Sequence, residues 1–166
     1  REIADRLKWK KPAVVSHHII MGLQGVQKKA TEEETLIASK MSKSDPKSAI
    51  YMHESYEELK RKIGSAYCPI AIEESNPLLE YCKYILFKEL KILKIERPSK
   101  FGGTVEFENY EELKKEYLNG KLHPADLKIG VINGLEILIR PVREYFEKNK
   151  KAKELYDSVR QFKITR

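Results

Sequence analysis

The sequence predicts a mainly α-helical chain, in which the end of an α/β unit precedes a helical domain with a small β-hairpin. Three observations support this fold class. A run of apolar, β-branched residues near the start has the composition of a buried strand. Most of the later chain carries apolar residues at spacings of three and four, and a short stretch in its second half changes to a strand pattern.

The first part of the chain has the pattern of a helix followed by a strand. Residues 1–8 place apolar side chains on one face of a helix, and the apolar residues 13–20 predict a buried parallel strand. His17 and His18 would point to opposite faces of that strand, so we expect core histidines and no shared metal. The polar residues 24–39 then predict an insertion or a short helix.

Start signals predict the helices of the remaining chain. Ser55 fits a capping box, Asn76 is an N-cap followed by proline, and Asn109 begins another capped helix. The longest helical pattern starts at His123, and Pro141 inside it is expected to kink or split the helix. A last helix is expected in the basic tail.

A short change of period predicts a β-hairpin. Ile92, Leu93 and Ile95 on one side, and residues 104–107 on the other, flank a loop that contains Phe101 beside two glycines. An exposed aromatic ring of this kind suits stacking on an unpaired nucleobase. A place in the local core is the other interpretation of Phe101.

These elements divide the chain into three predicted segments. Residues 1–47 end an α/β unit and carry a lysine-containing loop, residues 48–72 form a connector, and residues 73–166 form the helical domain. Open α/β sheets bind ligands at the carboxyl ends of their strands. Met21 to Leu23 are therefore expected where a nucleotide binds.

The composition is that of a basic globular protein. Of 166 residues, 41% are hydrophobic and 34% charged, and the net charge is +7. This charge favours a polyanionic partner, nucleic acid first, although surfaces rich in lysine and glutamate also occur in heat-adapted proteins. The sequence has no apolar run of membrane-spanning length, no signal-peptide pattern and too few cysteines for a disulfide framework. We therefore expect a cytoplasmic location without membrane contact.

The run Lys40-Met41-Ser42-Lys43-Ser44, which we name the lysine loop, is followed by the turn pair Asp45-Pro46. This pattern predicts a mobile surface loop. Two ammonium groups three residues apart, with hydroxyls beside them, suit the triphosphate of ATP. Lysine acts there as a point charge that can reach developing negative charge. A solvated loop of lysine and serine is the alternative.

The run His123-Pro124-Ala125-Asp126 combines two groups that can recognise a base. An imidazole can stack on a base, and a carboxylate can accept hydrogen bonds from its N–H groups. Ordinary helix capping, with Asp126 favoured by the helix dipole, is the alternative. Together with the lysine loop on a basic chain, these groups suggest ATP chemistry joined to RNA recognition.

Several motifs follow one another in a recognisable order. They are Lys40–Ser44, Ala66-Tyr67-Cys68-Pro69, Asn76-Pro77, Arg97-Pro98 with Phe101-Gly102-Gly103, and His123-Pro124-Ala125-Asp126-Leu127-Lys128. The first matches in full the second signature of class I aminoacyl-tRNA synthetases. Nearly the whole chain resembles the C-terminal half of archaeal- or eukaryotic-type tyrosyl-tRNA synthetases. This resemblance implies the end of a Rossmann-type catalytic domain followed by a helical anticodon-binding domain.

The resemblance implies a catalytic role for the lysine loop. Lys40 and Lys43 would steady the triphosphate while the carboxylate of the amino acid attacks the α-phosphate and pyrophosphate leaves. Ser42 and Ser44 would shape the loop and bond to phosphate oxygens, and Met41 would anchor it.

The resemblance also implies an ATP-binding role for the backbone of Met21, Gly22 and Leu23, which would lie near adenine, with Lys43 at the phosphates. Mg²⁺ would come with ATP, held mostly by phosphates and water, and no structural metal is implied.

A second set of residues would read the tRNA. Phe101 and His123 would sandwich the first anticodon base, Asp126 would hydrogen-bond to it, and Pro124 would fix the start of the helix. The implied partners are tyrosine tRNA, ATP and L-tyrosine, with a homodimer as the full-length assembly.

The family's first signature and its tyrosine pocket belong upstream of this sequence, so the chain as given is expected to be inactive alone. Two alternatives remain. A tryptophanyl-tRNA synthetase would instead bind tRNA with the tryptophan anticodon in preference to the tyrosine anticodon. A basic helical module would bind RNA without any ATP-linked role.

Overall fold

Helices account for most of the structure. The computed structural model describes residues 2–11, 13–42 and 45–162. In chain order, the elements are α1 (Glu2–Arg6), α2 (Glu32–Ser39), α3 (Tyr56–Ser65), α4 (Pro77–Tyr81), α5 (Phe87–Glu89), β1 (Leu93–Ile95), β2 (Val105–Phe107), α6 (Tyr110–Leu118), α7 (Pro124–Lys148) and α8 (Lys150–Arg160). Short 3-10 turns lie at Pro46–Ser48 and Ser99–Phe101, and a π-helical turn, Cys82–Leu86, joins α4 to α5. The predicted mainly helical chain with a small hairpin is confirmed.

Helix α7 is the central element. Its face with Leu127, Val131 and Leu135 is buried, and it packs against α3, α4, β1 and α8. The helix runs on through Pro141, so the prediction that this proline could split it is wrong. A proline inside a helix removes one backbone hydrogen bond, and the packed face on its N-terminal side holds the helix together.

The predicted helix starts are confirmed. The Ser55 hydroxyl accepts from the Glu58 N–H while the Glu58 carboxylate accepts from the Ser55 N–H, which completes the capping box. The side-chain oxygens of Asn76 and Asn109 accept backbone N–H groups in the first turns of α4 and α6. These caps are local, so the sequence alone could predict them.

The predicted hairpin is also confirmed. Strands β1 and β2 pair antiparallel, with Leu93 opposite Phe107 and Ile95 opposite Val105. Glycines in α7 allow the hairpin and the preceding turn to lie close to the helix. A Cβ on Gly130 would lie 2.6 Å from Ile95 Cγ1, and one on Gly134 would lie 3.0 Å from a Leu86 methyl carbon.

Gly130→Ala is therefore expected to lower the free energy of unfolding by about 1–3 kcal/mol, because the added methyl group overfills the contact with Ile95. Urea unfolding midpoints measure this change. Gly64→Ala in α3 is the matched control, since no described atom outside its own stretch of helix lies within 4 Å of its added Cβ. There the better helix propensity should raise stability by up to about 1 kcal/mol. Equal destabilisation by both variants would contradict the close contact between α7 and β1.

The strand predicted at residues 13–20 does not form. Residues 13–19 are exposed, and within the described ranges no segment pairs with them; pairing begins only at Met21, which forms an isolated bridge with Lys40. An apolar run needs a neighbouring strand to supply its hydrogen bonds. The prediction that His17 and His18 are core histidines is wrong for the same reason, since both are exposed.

One hydrophobic core joins residues from all three predicted segments, such as Leu23, Leu59 and Leu78. The boundaries after residues 47 and 72 stay predictions. No helix in the described part of the chain is long and apolar enough to cross a membrane.

Buried and half-buried charged groups hold residues 49–54 to α3 and α7. The Lys62 ammonium pairs with the Glu54 carboxylate and donates to the Ala49 carbonyl oxygen at 2.8 Å. Arg143 on α7 donates to the Glu54 carbonyl oxygen at 2.8 Å and to the Glu136 carboxylate at 2.5 Å. Buried charges are tolerated because they are paired in this way.

Candidate functional site

The lysine loop begins directly after α2, and Ser42 and Asp45 come together at its base. Lys40 follows the last helical residue in an extended conformation and is exposed, whereas Met41 and Ser42 are half-buried. Lys40 forms a bridge with Met21, and Ser42 forms one with Asp45. The other two predicted loop residues, Lys43 and Ser44, lie outside the described residues.

Ser48 closes the base of this loop. Its side chain is buried, its hydroxyl accepts from the Ser42 N–H at 2.9 Å, and it donates to the Asp45 carbonyl oxygen at 2.7 Å. The Asp45 carboxylate accepts from the Lys47 N–H at 3.1 Å and from the Gln24 side-chain amide at 3.0 Å. The two ends of the loop are thus fixed by groups of the chain itself.

The segment Met21–Leu23 lies against both ends of the loop. Its three N–H groups are all donated within the chain: to the Glu80 carboxylate at 2.8 Å, the Ser39 carbonyl oxygen at 2.8 Å and the Ser48 carbonyl oxygen at 2.9 Å. Gly22 and Leu23 are buried, and Met21 is half-buried. The segment is held rigidly beside the loop, and Met21 is its most accessible residue.

Met41 connects the loop to the core. It is half-buried against the hydrophobic cluster, and the Tyr81 hydroxyl lies 3.5 Å from its sulfur. Burial raises the pKa of Tyr81 well above its usual range, with the nearby carboxylates of Glu54 and Glu80 adding to the effect. The phenol therefore stays protonated and remains a donor towards the sulfur.

The side chains around the loop do not build a metal site. Within the described ranges, no three histidine, cysteine or carboxylate side chains converge on one point. Asp45, the carboxylate at the loop, is already occupied by two N–H donors. The described residues thus do not fit a Mg²⁺ ion held by the protein.

The second group of predicted residues lies at the hairpin loop and the start of α7. The Phe101 side chain is 58% exposed, and the Lys100 ammonium lies 4.9 Å from the centre of its ring. Gly102 adopts a positive φ of 96°, which reverses the chain directly after Phe101. Phe101 is therefore not a core residue of the hairpin, which removes that interpretation.

Arg97 joins the hairpin loop to the segment that leads into α7. Its Nε donates to the Gly103 carbonyl oxygen at 2.8 Å, and its Nη1 donates to the Lys121 carbonyl oxygen at 2.9 Å. Lys121 precedes His123 by two residues. The structure thus brings the loop of Phe101 and the start of α7 together through one guanidinium group.

His123 caps α7, because its Nδ1 accepts from the Ala125 N–H at 3.1 Å. The side chain is nevertheless exposed, Pro124 is buried beneath it, and Asp126 is half-buried in the first turn. Capping uses one ring nitrogen and leaves the ring accessible. Helix capping and stacking on a base are compatible at this residue.

The family model of tRNA synthetases class I (W and Y) matches residues 1–139. The chain belongs to this family. The letters denote its tryptophanyl and tyrosyl members.

Among relatives of this class I chain, the tyrosine–tRNA ligase of Thermococcus kodakarensis is 43% identical over 99% of the chain and 47% of its own length. The chain spans about half the length of the curated relatives it matches. The crystal structure of a tyrosyl-tRNA synthetase complexed with L-tyrosine from Pyrococcus horikoshii has a TM-score of 0.75 at 42% identity, covering 86% of this chain and 40% of that one. A tryptophanyl-tRNA synthetase from Giardia lamblia matches less well, with a TM-score of 0.55 at 25% identity over 84% of this chain and 30% of its own.

Sequence reasoning missed several residues of this synthetase chain that hold the candidate sites. Ser48 could have been found, because a serine shortly after an Asp-Pro pair is typical of a closed turn. Glu80 and Arg97 had no such signal, since their partners lie far away in sequence. The motif Arg97-Pro98 gives no indication of the groups that Arg97 contacts.

Proposed function

We propose that this chain is the C-terminal part of a tyrosine–tRNA ligase, which activates tyrosine with ATP and transfers it to tyrosine tRNA. The main observation in support is the lysine loop, which carries the complete class I signature and is fixed at its base beside Met21–Leu23. The tyrosyl relatives match more closely than the tryptophanyl structure, which favours tyrosine as the amino acid.

In the first step, the carboxylate oxygen of tyrosine attacks the α-phosphorus of ATP, and the bond to the leaving pyrophosphate breaks. Negative charge grows on the leaving oxygens in the transition state. Lys40 projects from an exposed position of the loop, and with Lys43 it would stabilise this charge. Ser42 and Ser44 would bond to phosphate oxygens, while Met41 keeps the loop anchored to the core.

The segment Met21–Leu23 is proposed to lie at the adenine end of ATP. Since its N–H groups are engaged within the chain, we expect contact mainly through the accessible side of Met21. ATP would arrive with Mg²⁺ held by phosphates and water.

The hairpin loop and the start of α7 are proposed to bind the anticodon. Phe101 would stack on one face of the first anticodon base and His123 on the other, while the Asp126 carboxylate accepts from the N–H groups of the base. Pro124 fixes the start of α7 beneath them. The exposure of both rings supports this role.

We further propose that the complete enzyme is a cytoplasmic homodimer without membrane contact. Residues 1–47 would end its catalytic domain, residues 48–72 would connect it, and residues 73–166 would form the anticodon-binding domain.

Amino-acid-dependent exchange of pyrophosphate into ATP tests this function in the complete enzyme. We expect exchange with tyrosine, none with tryptophan, and charging of tyrosine tRNA only. Exchange driven by tryptophan would establish the tryptophanyl alternative. Binding of tRNA without exchange for any amino acid would support the alternative of an RNA-binding module with no ATP-linked role.

A further inference from the structure

Two adjacent residues of α4 contact both sides of the lysine loop's base. The Glu80 carboxylate accepts from the Met21 N–H at 2.8 Å through one oxygen, and its other oxygen lies 3.3 Å from His18 Nε2. The Tyr81 hydroxyl lies 3.5 Å from the sulfur of Met41. The helical domain therefore reaches the loop at two points from a single turn of helix.

These two points surround Lys40. Met21 is the bridge partner of Lys40, and Met41 follows Lys40 in the chain. A shift of either methionine would move the backbone from which the Lys40 side chain projects. The position of the Lys40 ammonium thus depends on groups of α4 that have no part in the chemistry.

Helix α4 is suited to hold this position. The Asn76 side chain caps it, and Leu78 and Leu79 in its first turn are fully buried. His18 adds to the contact, because its ring stacks on Tyr84 with 4.0 Å between ring centres. A rigid, well-packed element is a better support for a site than the loop itself.

We propose that Glu80 and Tyr81 are positioning residues, which hold Met21 and Met41 so that Lys40 meets the phosphates of ATP in the transition state. This inference rests on the proposed function. The Glu80 carboxylate fixes the Met21 N–H, and the Tyr81 hydroxyl fixes the side chain of Met41.

Glu80→Ala is expected to lower kcat for tyrosine-dependent exchange in the complete enzyme by about 10- to 100-fold, because a small displacement of a catalytic group is costly. The KM for tyrosine should not change. Glu80→Gln keeps an acceptor for the Met21 N–H and should restore most of the activity. Tyr81→Phe keeps the buried ring but loses the donor, so we expect a smaller loss of about threefold.

Glu73→Ala is the matched control. Glu73 also lies in the predicted helical domain, where it accepts from the Tyr110 hydroxyl and the Lys114 ammonium at 2.8 Å each. Within the described residues, its carboxylate forms no hydrogen bond or ion pair with residues 18–48. We expect Glu73→Ala to lower thermal stability and leave kcat unchanged. An equal loss of kcat in Glu73→Ala, or a Glu80→Gln variant as impaired as Glu80→Ala, would overturn the positioning role.

Limited trypsin digestion of the complete enzyme without substrates tests the same contact in the absence of catalysis. Loss of the Glu80 contact should speed cleavage after Lys40 by about five- to tenfold, since one hydrogen bond no longer opposes local opening. Glu73→Ala should not change this rate. Unchanged cleavage in Glu80→Ala would overturn the inference even if the enzyme activates tyrosine. Faster cleavage in an enzyme without exchange would instead refute only the proposed function.

Discussion

Replacing Lys40 and Lys43 together with alanine is expected to reduce tyrosine-dependent ATP–pyrophosphate exchange by at least about 10²- to 10³-fold, the usual cost of losing a group that stabilises transition-state charge. Lys40 is exposed, so its loss leaves no buried group without a partner. Stability and tRNA binding should therefore change little. Steady-state exchange assays on the complete enzyme measure the effect.

Lys47→Ala is the matched control for this prediction. Lys47 is an exposed lysine of the same region, and the hydrogen bond to Asp45 comes from its backbone N–H and not from its side chain. We expect exchange to stay close to that of the unmodified enzyme. If the loss in the double variant were no greater than in Lys47→Ala, the loop would be a solvated basic turn, as composition alone allows.

The second large effect is expected at the anticodon. Asp126→Ala should weaken binding of tyrosine tRNA by about 1–3 kcal/mol and relax discrimination at the first anticodon base, because a good polar contact to a base is lost. Equilibrium binding of tRNAs that differ at this base measures both changes. Asp126 is half-buried in the first turn of α7, so its removal also costs up to about 1 kcal/mol of helix stability through the helix dipole.

Glu111→Ala separates these two contributions, since Glu111 is an exposed carboxylate in the first turn of α6. It should remove a similar dipole interaction and leave tRNA binding unchanged. If Asp126→Ala weakened the binding of every tRNA equally, Asp126 would have only a structural role.

The elements that depend on nearby residues could be predicted from the sequence. Capping by Ser55 and Asn76 involves residues within one helical turn, and the hairpin follows from a local change of period. The predictions fail where an element depends on contacts with residues far away in the sequence. The apolar run at 13–20 has the composition of a strand, but its backbone pairs with nothing in the described chain, and His17 and His18 are exposed with it.

The same distinction between local and distant contacts applies to the candidate sites. The order of Lys40, Met41 and Ser42 predicts a phosphate loop, because this chemistry needs particular side chains at fixed spacing. The contacts that hold the loop do not appear in any local pattern. Glu80 and Met21 are 59 residues apart, and Tyr81 and Met41 are 40 apart. Arg97 likewise reaches Lys121 across 24 residues. Such pairs can be recognised only once the chain is folded.

We propose that one chain carries two separate functions, a loop for ATP and a site for the anticodon. The most direct test measures exchange and tRNA binding side by side in Lys40→Ala/Lys43→Ala and in Asp126→Ala. We predict that the lysine variant loses exchange and keeps tRNA binding, while the Asp126 variant keeps exchange and loses selective binding of tyrosine tRNA. Retained exchange in the lysine variant, or the same losses in both variants, would contradict this division of functions.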